Sequence, residues 1–112
     1  MRIVFTAKGM DMTAAMDPRF GRTAFFVIYD EEREQVDFFD NRAIEREAHG
    51  AGPKTAQKLS ELGAEVLITG NGPGGNAAAV LNQMNIAIYT GAGELSVREA
   101  YAAYKAGKLP KA

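Results

Sequence analysis

Short apolar runs separated by polar turns dominate the first forty residues of the chain. β-Branched and aromatic residues fill positions 3–7 and 24–29, and a more polar run follows at 36–39. Runs of this length and composition are typical of strands, and the charged stretch DEERE at 30–34 is typical of a tight turn. We therefore predict three strands, with the second and third paired as an antiparallel hairpin and the third near a sheet edge.

A helical period replaces this pattern after residue 52. Apolar residues recur three and four positions apart over 56–62, 77–84 and 97–104, and apolar runs at 65–69 and 86–89 predict two more strands between the helices. Strands that alternate with helices pair in parallel through right-handed crossovers. The order therefore predicts an α/β fold, in which about three helices pack on a mixed five-stranded sheet with one antiparallel strand.

Local signals mark the ends of these helices. Gly63 and Gly107 follow helical runs, where a glycine can take the left-handed conformation that ends a helix. Ser96 and Glu99 have the spacing of a capping box at the start of the last helix. Asn76 is expected to cap the preceding helix, and the final residues, KLPKA, are expected to fray.

Composition places the chain among globular proteins and excludes several kinds of site. With 112 residues, 46% of them hydrophobic, we expect one domain over residues 1–112, and the formal net charge of −1 predicts no nucleic-acid partner. The apolar run at the start is too short for a signal peptide or a membrane span, so we expect a cytoplasmic protein without a membrane partner. The absence of cysteine excludes disulfides and thiolate ligation of a metal or an iron–sulfur cluster.

A glycine-rich turn is the most specific local motif. Within TGNGPGGNAAAV, Gly70, Gly72 and Gly75 have the spacing G-x-G-x-x-G between a predicted strand and a predicted helix. A dinucleotide site also needs an acidic residue about twenty positions later at a strand tip, whereas Glu94 lies beyond the strand and past a second glycine turn. The turn is therefore either an amide-lined anion site that includes Gly74, or a tight strand-to-helix connection.

Three other groups of side chains are candidates for binding. His49 is the only histidine, and a neutral imidazole is a competent iron ligand, although a histidine in a loop can equally make local hydrogen bonds. Arg19 and Arg22 suit an anionic surface, or they can pair with carboxylates such as Asp17. Three methionines offer thioether sulfur or fill gaps against the core: Met10, Met12 and Met16.

The predicted topology brings some of these residues together. Loops after residues 7, 69 and 89 leave the carboxyl ends of predicted parallel strands and should share one sheet edge, where ligands bind in such folds. We expect one pocket there, formed by the Met/Arg loop, the glycine turn and His49, although the side on which His49 lies is open. The candidate metal ligand is His49, and the candidate cofactor-binding residues are Arg19, Arg22, Gly70, Gly72, Gly74, Gly75 and Asn76.

Four segments together resemble the dinitrogenase iron–molybdenum cofactor biosynthesis family, which comprises NifX-like proteins and the related C-terminal part of NifB. They are DPRFGRTAFFVIYD, Asn41 with HGAG at 49–52, LGAEVLITGNGPGGNAAAVLNQMNIAIYTG, and GELSVREAYAAYKAGKL. The resemblance covers nearly the whole chain in the same order. It implies a three-layer ribonuclease-H-like fold with an antiparallel second strand, and no nuclease activity, because RIVFTA lacks the carboxylates that hold catalytic metal ions.

The resemblance also implies a function. Family members in nitrogen-fixing systems bind or carry an iron–sulfur or iron–molybdenum cofactor precursor, so a small carrier with a metallocluster assembly or acceptor protein as its partner is expected. The sequence contains no nucleophile–base pair, which predicts that the protein is not an enzyme. Two other functions remain open: a phosphate- or nucleotide-binding regulatory module that uses the GNGPGG turn, and a non-catalytic interaction domain.

Overall fold

A computed structural model describes residues 1–45 and 51–112 of the chain. Its strands are β1 (Arg2–Ala7), β2 (Phe25–Asp30), β3 (Gln35–Asp40), β4 (Val66–Ile68) and β5 (Ala87–Tyr89). Its helices are α1 (Arg42–Glu45), α2 (Ala51–Glu61), α3 (Gly75–Gln83) and α4 (Val97–Lys105). The predicted order of strands and of the three longer helices is confirmed, and the four-residue α1 is an addition that its short segment did not signal.

The strands form one mixed sheet in the order β3-β2-β1-β4-β5. β1, β4 and β5 are mutually parallel, and β2 runs antiparallel to both β1 and β3, which confirms the predicted mixed topology. Ala7 pairs with Phe25, and Phe25 pairs with Asp40. The carboxyl ends of β1, β3, β4 and β5 therefore lie at the same edge of the sheet.

Alternating side chains of the sheet build a core on each face. One core lies under α2 and α3 and includes Val4, Phe26, Ile28, Leu59 and Leu81. The other lies under α4 and includes Ile3, Phe5, Val27, Ile68 and Val97. The result is a three-layer α/β arrangement, which is compatible with the expected ribonuclease-H-like layering.

Most capping predictions are confirmed, and one is wrong. Gly63 and Gly107 have φ values of 74° and 71°, and Ser96 and Glu99 form the reciprocal capping box of α4. The N-cap of α3 is Gly74 rather than Asn76, because the helix begins at Gly75 and places Asn76 inside its first turn. Gly74 has no side chain with which to cap the helix, so it accepts no side-chain hydrogen bond from the first amides of α3.

The long first loop is more regular than its sequence suggests. Residue pairs Ala7 with Met16, and Ala15 with Ser96, form antiparallel bridges. Met16 N–H donates to Leu95 O at 2.9 Å, and Val97 N–H donates to Ala14 O at 2.9 Å. The loop therefore packs against the start of α4, with Met16 buried in the core and Met10 exposed.

The C-terminal residues are ordered against β5, so the expected fraying is wrong. Lys111 pairs with Tyr89, Thr90 N–H donates to Pro110 O at 3.0 Å, and Ala112 N–H donates to Ile88 O at 2.8 Å. These backbone partners are distant in sequence, which is why local pattern did not reveal them. Among the described residues, no helix has the length and apolarity needed to cross a membrane.

Candidate functional site

A cavity of about 530 Å³ opens at the edge of the sheet where parallel strands end. Loops that follow β1, β4 and β5 converge on it, as the topology predicted. Its lining residues are Pro18, Gly70, Asn71, Gly91, Gly93, Glu94 and Leu95. The cavity is thus made largely of backbone, with few side chains that carry chemistry.

Gly70 is the point at which the three loops cross. Asn71 N–H donates to Pro18 O at 2.7 Å, and Gly91 N–H donates to Gly70 O at 2.9 Å. A Cβ on Gly70 would lie 2.6 Å from Pro18 Cα and 2.9 Å from Gly93 Cα. The first glycine of the fingerprint is therefore required by contact between loops, whatever ligand the cavity takes.

Two buried threonine hydroxyl groups form a hydrogen-bond network next to this loop crossing. Thr6 Oγ1 donates to the backbone carbonyl of Asp17 at 2.7 Å and lies 3.0 Å from Thr69 Oγ1. Both threonines are fully buried. Because buried polar groups are costly without partners, this network ties the ends of β1 and β4 to the loop that carries Pro18.

Arg19 and Arg22 of the first loop do not line the cavity, although the sequence predicted them in the pocket. Arg19 makes two side-chain hydrogen bonds of 3.1 Å to the buried carboxylate of Asp17, as the alternative interpretation of its role proposed. Burial acts to raise the pKa of Asp17, but hydrogen bonds from Arg19 and from the Ala24 amide outweigh it and hold that pKa below its ordinary value. Arg22 is exposed, and neither arginine lines the cavity.

The last two glycines of the turn, Gly74 and Gly75, face open space. A Cβ on Gly74 or Gly75 would meet no atom within 4 Å, and a Cβ on Gly72 would lie 3.7 Å from a methyl carbon of Thr90. Gly72, Gly74, Gly75 and Asn76 are all exposed, and the first turn of α3 contains no acidic residue. The positive end of the α3 dipole is therefore accessible to an anion beside the cavity.

Glu94 is the charged side chain in the cavity lining, and sequence reasoning did not select it. It is exposed, and no described residue forms an ion pair or hydrogen bond with its carboxylate. A signal for it existed in the sequence. The second glycine turn, GAGEL, follows β5 as the first follows β4, and turns after neighbouring parallel strands share one edge.

The segment that follows β3 starts at the sheet edge where the cavity lies, because β3 ends at the same edge as β1. Asn41 is buried, its N–H donates to Ala24 O at 2.9 Å, and its Nδ2 donates to Thr23 O at 3.1 Å. His49, the predicted metal ligand, lies outside the described residues. Within 1–45 and 51–112, no three histidine or carboxylate side chains gather as potential metal ligands.

The chain matches the family described as dinitrogenase iron-molybdenum cofactor over residues 1–107, so that residues 108–112 lie beyond the matched region. Its fold is similar to the apo form of the orange protein from Desulfovibrio gigas, with 38% identity, a TM-score of 0.91, and coverage of 99% of this chain and 92% of that chain. It is also similar to a Thermotoga protein of the DUF35 family provisionally named NifB, with 34% identity, a TM-score of 0.84, and coverage of 98% and 91%. No curated protein matches significantly.

Proposed function

The chain belongs to the dinitrogenase iron-molybdenum cofactor family, and from that premise we propose that it carries an iron–sulfur or iron–molybdenum cofactor precursor to an acceptor protein. The observation that carries the proposal is the cavity of about 530 Å³ at the carboxyl edge of the sheet. Small-molecule sites are typically pockets of about 300–1,000 Å³, and open α/β sheets bind ligands at this edge.

A carrier without cysteine can hold such a cargo through hydrogen-bond donors and a replaceable metal ligand. A pre-assembled metal–sulfur precursor brings its own sulfides and is anionic, so the protein needs to supply hydrogen-bond donors and a replaceable ligand. The exposed amides of Gly72, Gly74, Gly75 and Asn76 supply donors, whereas Pro73 has no N–H, and the α3 dipole favours negative charge there. The family resemblance favours His49 as a metal ligand. Arg19 and Arg22 are proposed as positive groups because guanidinium suits an anionic surface, although neither lines the cavity.

Glu94 makes the site suited to release. A carboxylate in the cavity lining repels an anionic cargo and lowers its affinity, which a carrier that passes on its cargo requires. The remaining features of the proposal follow from the carrier role: the protein is not an enzyme, its partner is an assembly or acceptor protein, and it acts in the cytoplasm.

Two isosteric substitutions test the proposal, since they change the charge of the cavity in opposite directions. Glu94→Gln removes a negative charge, and Asn71→Asp adds one on an exposed lining residue. Each protein is mixed anaerobically with a preformed iron–molybdenum–sulfur precursor, and the dissociation constant is measured from iron that co-elutes on gel filtration. We expect about three- to tenfold tighter binding for Glu94→Gln and similarly weaker binding for Asn71→Asp, because one charge near the cargo contributes about 1 kcal/mol.

Matched variants far from the cavity provide the controls. Glu34→Gln lies in the hairpin turn at the opposite sheet edge, and Asn82→Asp lies at the far end of α3. Neither should change binding by more than twofold. Equal affinities for all four variants would place the cargo elsewhere, and no iron above that of an unrelated protein would refute the carrier.

The same assay separates the other functions. His49→Ala should reduce bound iron sharply if the imidazole is a ligand. If inorganic phosphate shifts the amide resonances of Gly72, Gly74, Gly75 and Asn76 while no iron binds, the phosphate-binding module replaces the carrier. If neither ligand binds, the interaction domain is the better description.

A further inference from the structure

The outer side of β3 is an open edge of the sheet. β3 is terminal in the strand order, and among the described residues it pairs with β2 alone. Asn41 N–H donates to Ala24 O at 2.9 Å, which extends the β2–β3 ladder by one hydrogen-bonded pair. Hydrogen-bonded pairs alternate along an antiparallel ladder, so every second residue of β3 directs its backbone groups towards β2. Val36 and Phe38 lie between these residues, and their N–H and C=O groups therefore point away from the sheet.

Two exposed apolar side chains accompany this edge. Phe38 lies opposite Val27, a residue of the core under α4, and Val36 is two positions away on the same face of the sheet. Both side chains stay largely outside that core, since Val36 is 44% exposed and Phe38 is 46% exposed. The Phe38 ring makes one edge-on contact, with Phe25, at a centroid distance of 6.3 Å. An edge strand with neighbouring apolar side chains is a surface to which another strand can add.

Opposite charges lie on the other face of the same edge. The exposed Asp37 carboxylate accepts the outward N–H of Phe38 at 2.8 Å. Phe39 is on the same face as Asp37, and Lys58 Nζ lies 4.4 Å from the centroid of its ring. Lys58 also forms an ion pair of 3.3 Å with Glu61 on its own helix. The edge thus presents a carboxylate at Asp37 and an ammonium group beside Phe39, two positions further along the strand.

We propose that the β3 edge is a self-association surface, to which a second copy of the chain adds its own β3 antiparallel about a two-fold axis at Phe38. The axis makes the interface isologous, so each contact occurs twice. Phe38 faces Phe38 of the second copy in a hydrogen-bonded pair, and Val36 lies diagonally beside that ring, so that exposed apolar side chains cover one another. Phe38 N–H then donates to the Phe38 carbonyl of the second copy, which releases the Asp37 carboxylate. The two five-stranded sheets join into one continuous sheet.

Charge complementarity favours a second copy over an unrelated strand and selects this register. With the two Phe38 residues opposite each other, Asp37 lies opposite Phe39 of the second copy, where the Lys58 ammonium of that copy lies. The released carboxylate therefore exchanges the Phe38 amide for an opposite charge. A two-fold axis at Asp37 would instead place the two Asp37 carboxylates directly opposite each other, which is destabilising.

Sedimentation equilibrium of the whole chain tests the proposal, because a weak dimer raises the weight-average mass as concentration increases. One pair of strands makes a small interface, so the wild type should be monomeric when dilute and partly dimeric at about 1 mM. The amide resonances of Val36 and Phe38 should shift over the same range of concentration. Asp37→Lys and Lys58→Asp each place like charges opposite each other twice, and each should weaken the dimer at least about tenfold.

Mixing the two variants distinguishes this interface from any other. In a mixed dimer the introduced lysine of one copy meets the introduced aspartate of the other, and the native Asp37 and Lys58 meet at the second contact. An equimolar mixture of Asp37→Lys and Lys58→Asp should therefore dimerise as strongly as the wild type. Lys108→Asp makes the same change of charge on an exposed lysine beyond α4 and should dimerise as the wild type by itself. Circular dichroism of the dilute variants, both substituted at the surface, should match that of the wild type.

A wild type that stays monomeric at the highest concentration would overturn the proposal, and the edge would then serve another partner or none. Equal association of the wild type and both single variants would also overturn it, because the contact would lie elsewhere on the molecule. So would a mixture that dimerises no more strongly than its components. None of these measurements involves a metal cluster, so the result does not depend on whether the protein is a carrier.

Discussion

Gly70→Ala tests whether the loop crossing, rather than a ligand, requires glycine. Its Cβ would lie 2.6 Å from Pro18 Cα and 2.9 Å from Gly93 Cα, whereas carbon atoms pack best at about 3.5–4.0 Å. Both contacts are with backbone atoms, which cannot rotate away as a side-chain end can. Two hydrogen bonds, from Asn71 N–H to Pro18 O and from Gly91 N–H to Gly70 O, would lengthen as the loops separate.

The expected cost lies at the upper end of the range for overpacking. Inserting a methyl group into a filled site typically costs about 1–3 kcal/mol, and we expect about 3 kcal/mol of unfolding free energy for Gly70→Ala. For a domain of this size, that corresponds to a melting temperature lower by roughly 10–20 °C. Urea unfolding followed by circular dichroism measures the free energy, and a thermal scan of the same sample measures the shift.

Gly75→Ala is the matched control, since its Cβ meets nothing within 4 Å at the first position of α3. Alanine favours the helix over glycine by up to about 1 kcal/mol, so this variant should be neutral or slightly more stable. An unfolding free energy of Gly70→Ala within about 0.5 kcal/mol of the wild type would refute the argument from loop packing.

Two further predictions concern side chains that hold local structure. Asp17→Asn weakens charge-assisted hydrogen bonds from Arg19 and should cost about 2–3 kcal/mol at neutral pH. Because folding lowers the pKa of Asp17, the stabilisation is present above the ordinary pKa near 3.9 and is lost as pH falls through the lower pKa of the folded protein. If urea unfolding in strong acid still showed the wild type to be more stable than Asp17→Asn, this origin would be contradicted. Ser96→Ala removes the acceptor for the Glu99 amide at 3.1 Å and should cost about 1 kcal/mol. Ser60→Ala, an exposed site within α2, is its control in the same urea titration, and equal losses for the two variants would argue against the cap.

Pattern alone predicted the features that depend on nearby residues. The hairpin of β2 and β3 follows from two apolar runs around DEERE, and the end of α2 follows from Gly63, whose φ is 74°. The position of the Asn76 cap was wrong, although the helix itself was predicted. Gly74 takes the extended conformation of an N-cap, and two adjacent glycines leave the starting residue unspecified by sequence.

The carboxyl-edge rule predicted where the loops after β1, β4 and β5 meet, and the cavity lies there. The rule could not predict that Arg19 would hydrogen-bond to Asp17. The Asp17 carboxylate competes with a ligand for the guanidinium group only when the loop geometry brings the two side chains together. Glu94 was weighed only as a ribose ligand and rejected, because that test counts positions along the chain and does not consider which turns are spatial neighbours.

The sequence by itself determined the types of element, their order, the mixed sheet and the absence of thiolate ligands, because these depend on local propensity, periodicity and composition. Only the tertiary structure decided which backbones touch: the first loop against the start of α4, residues 110–112 against β5, and Gly70 against Pro18. These contacts join residues far apart along the chain through backbone atoms, which every residue type shares. No side-chain pattern encodes them, so they emerge only when the strands are in register and the loops have been packed together.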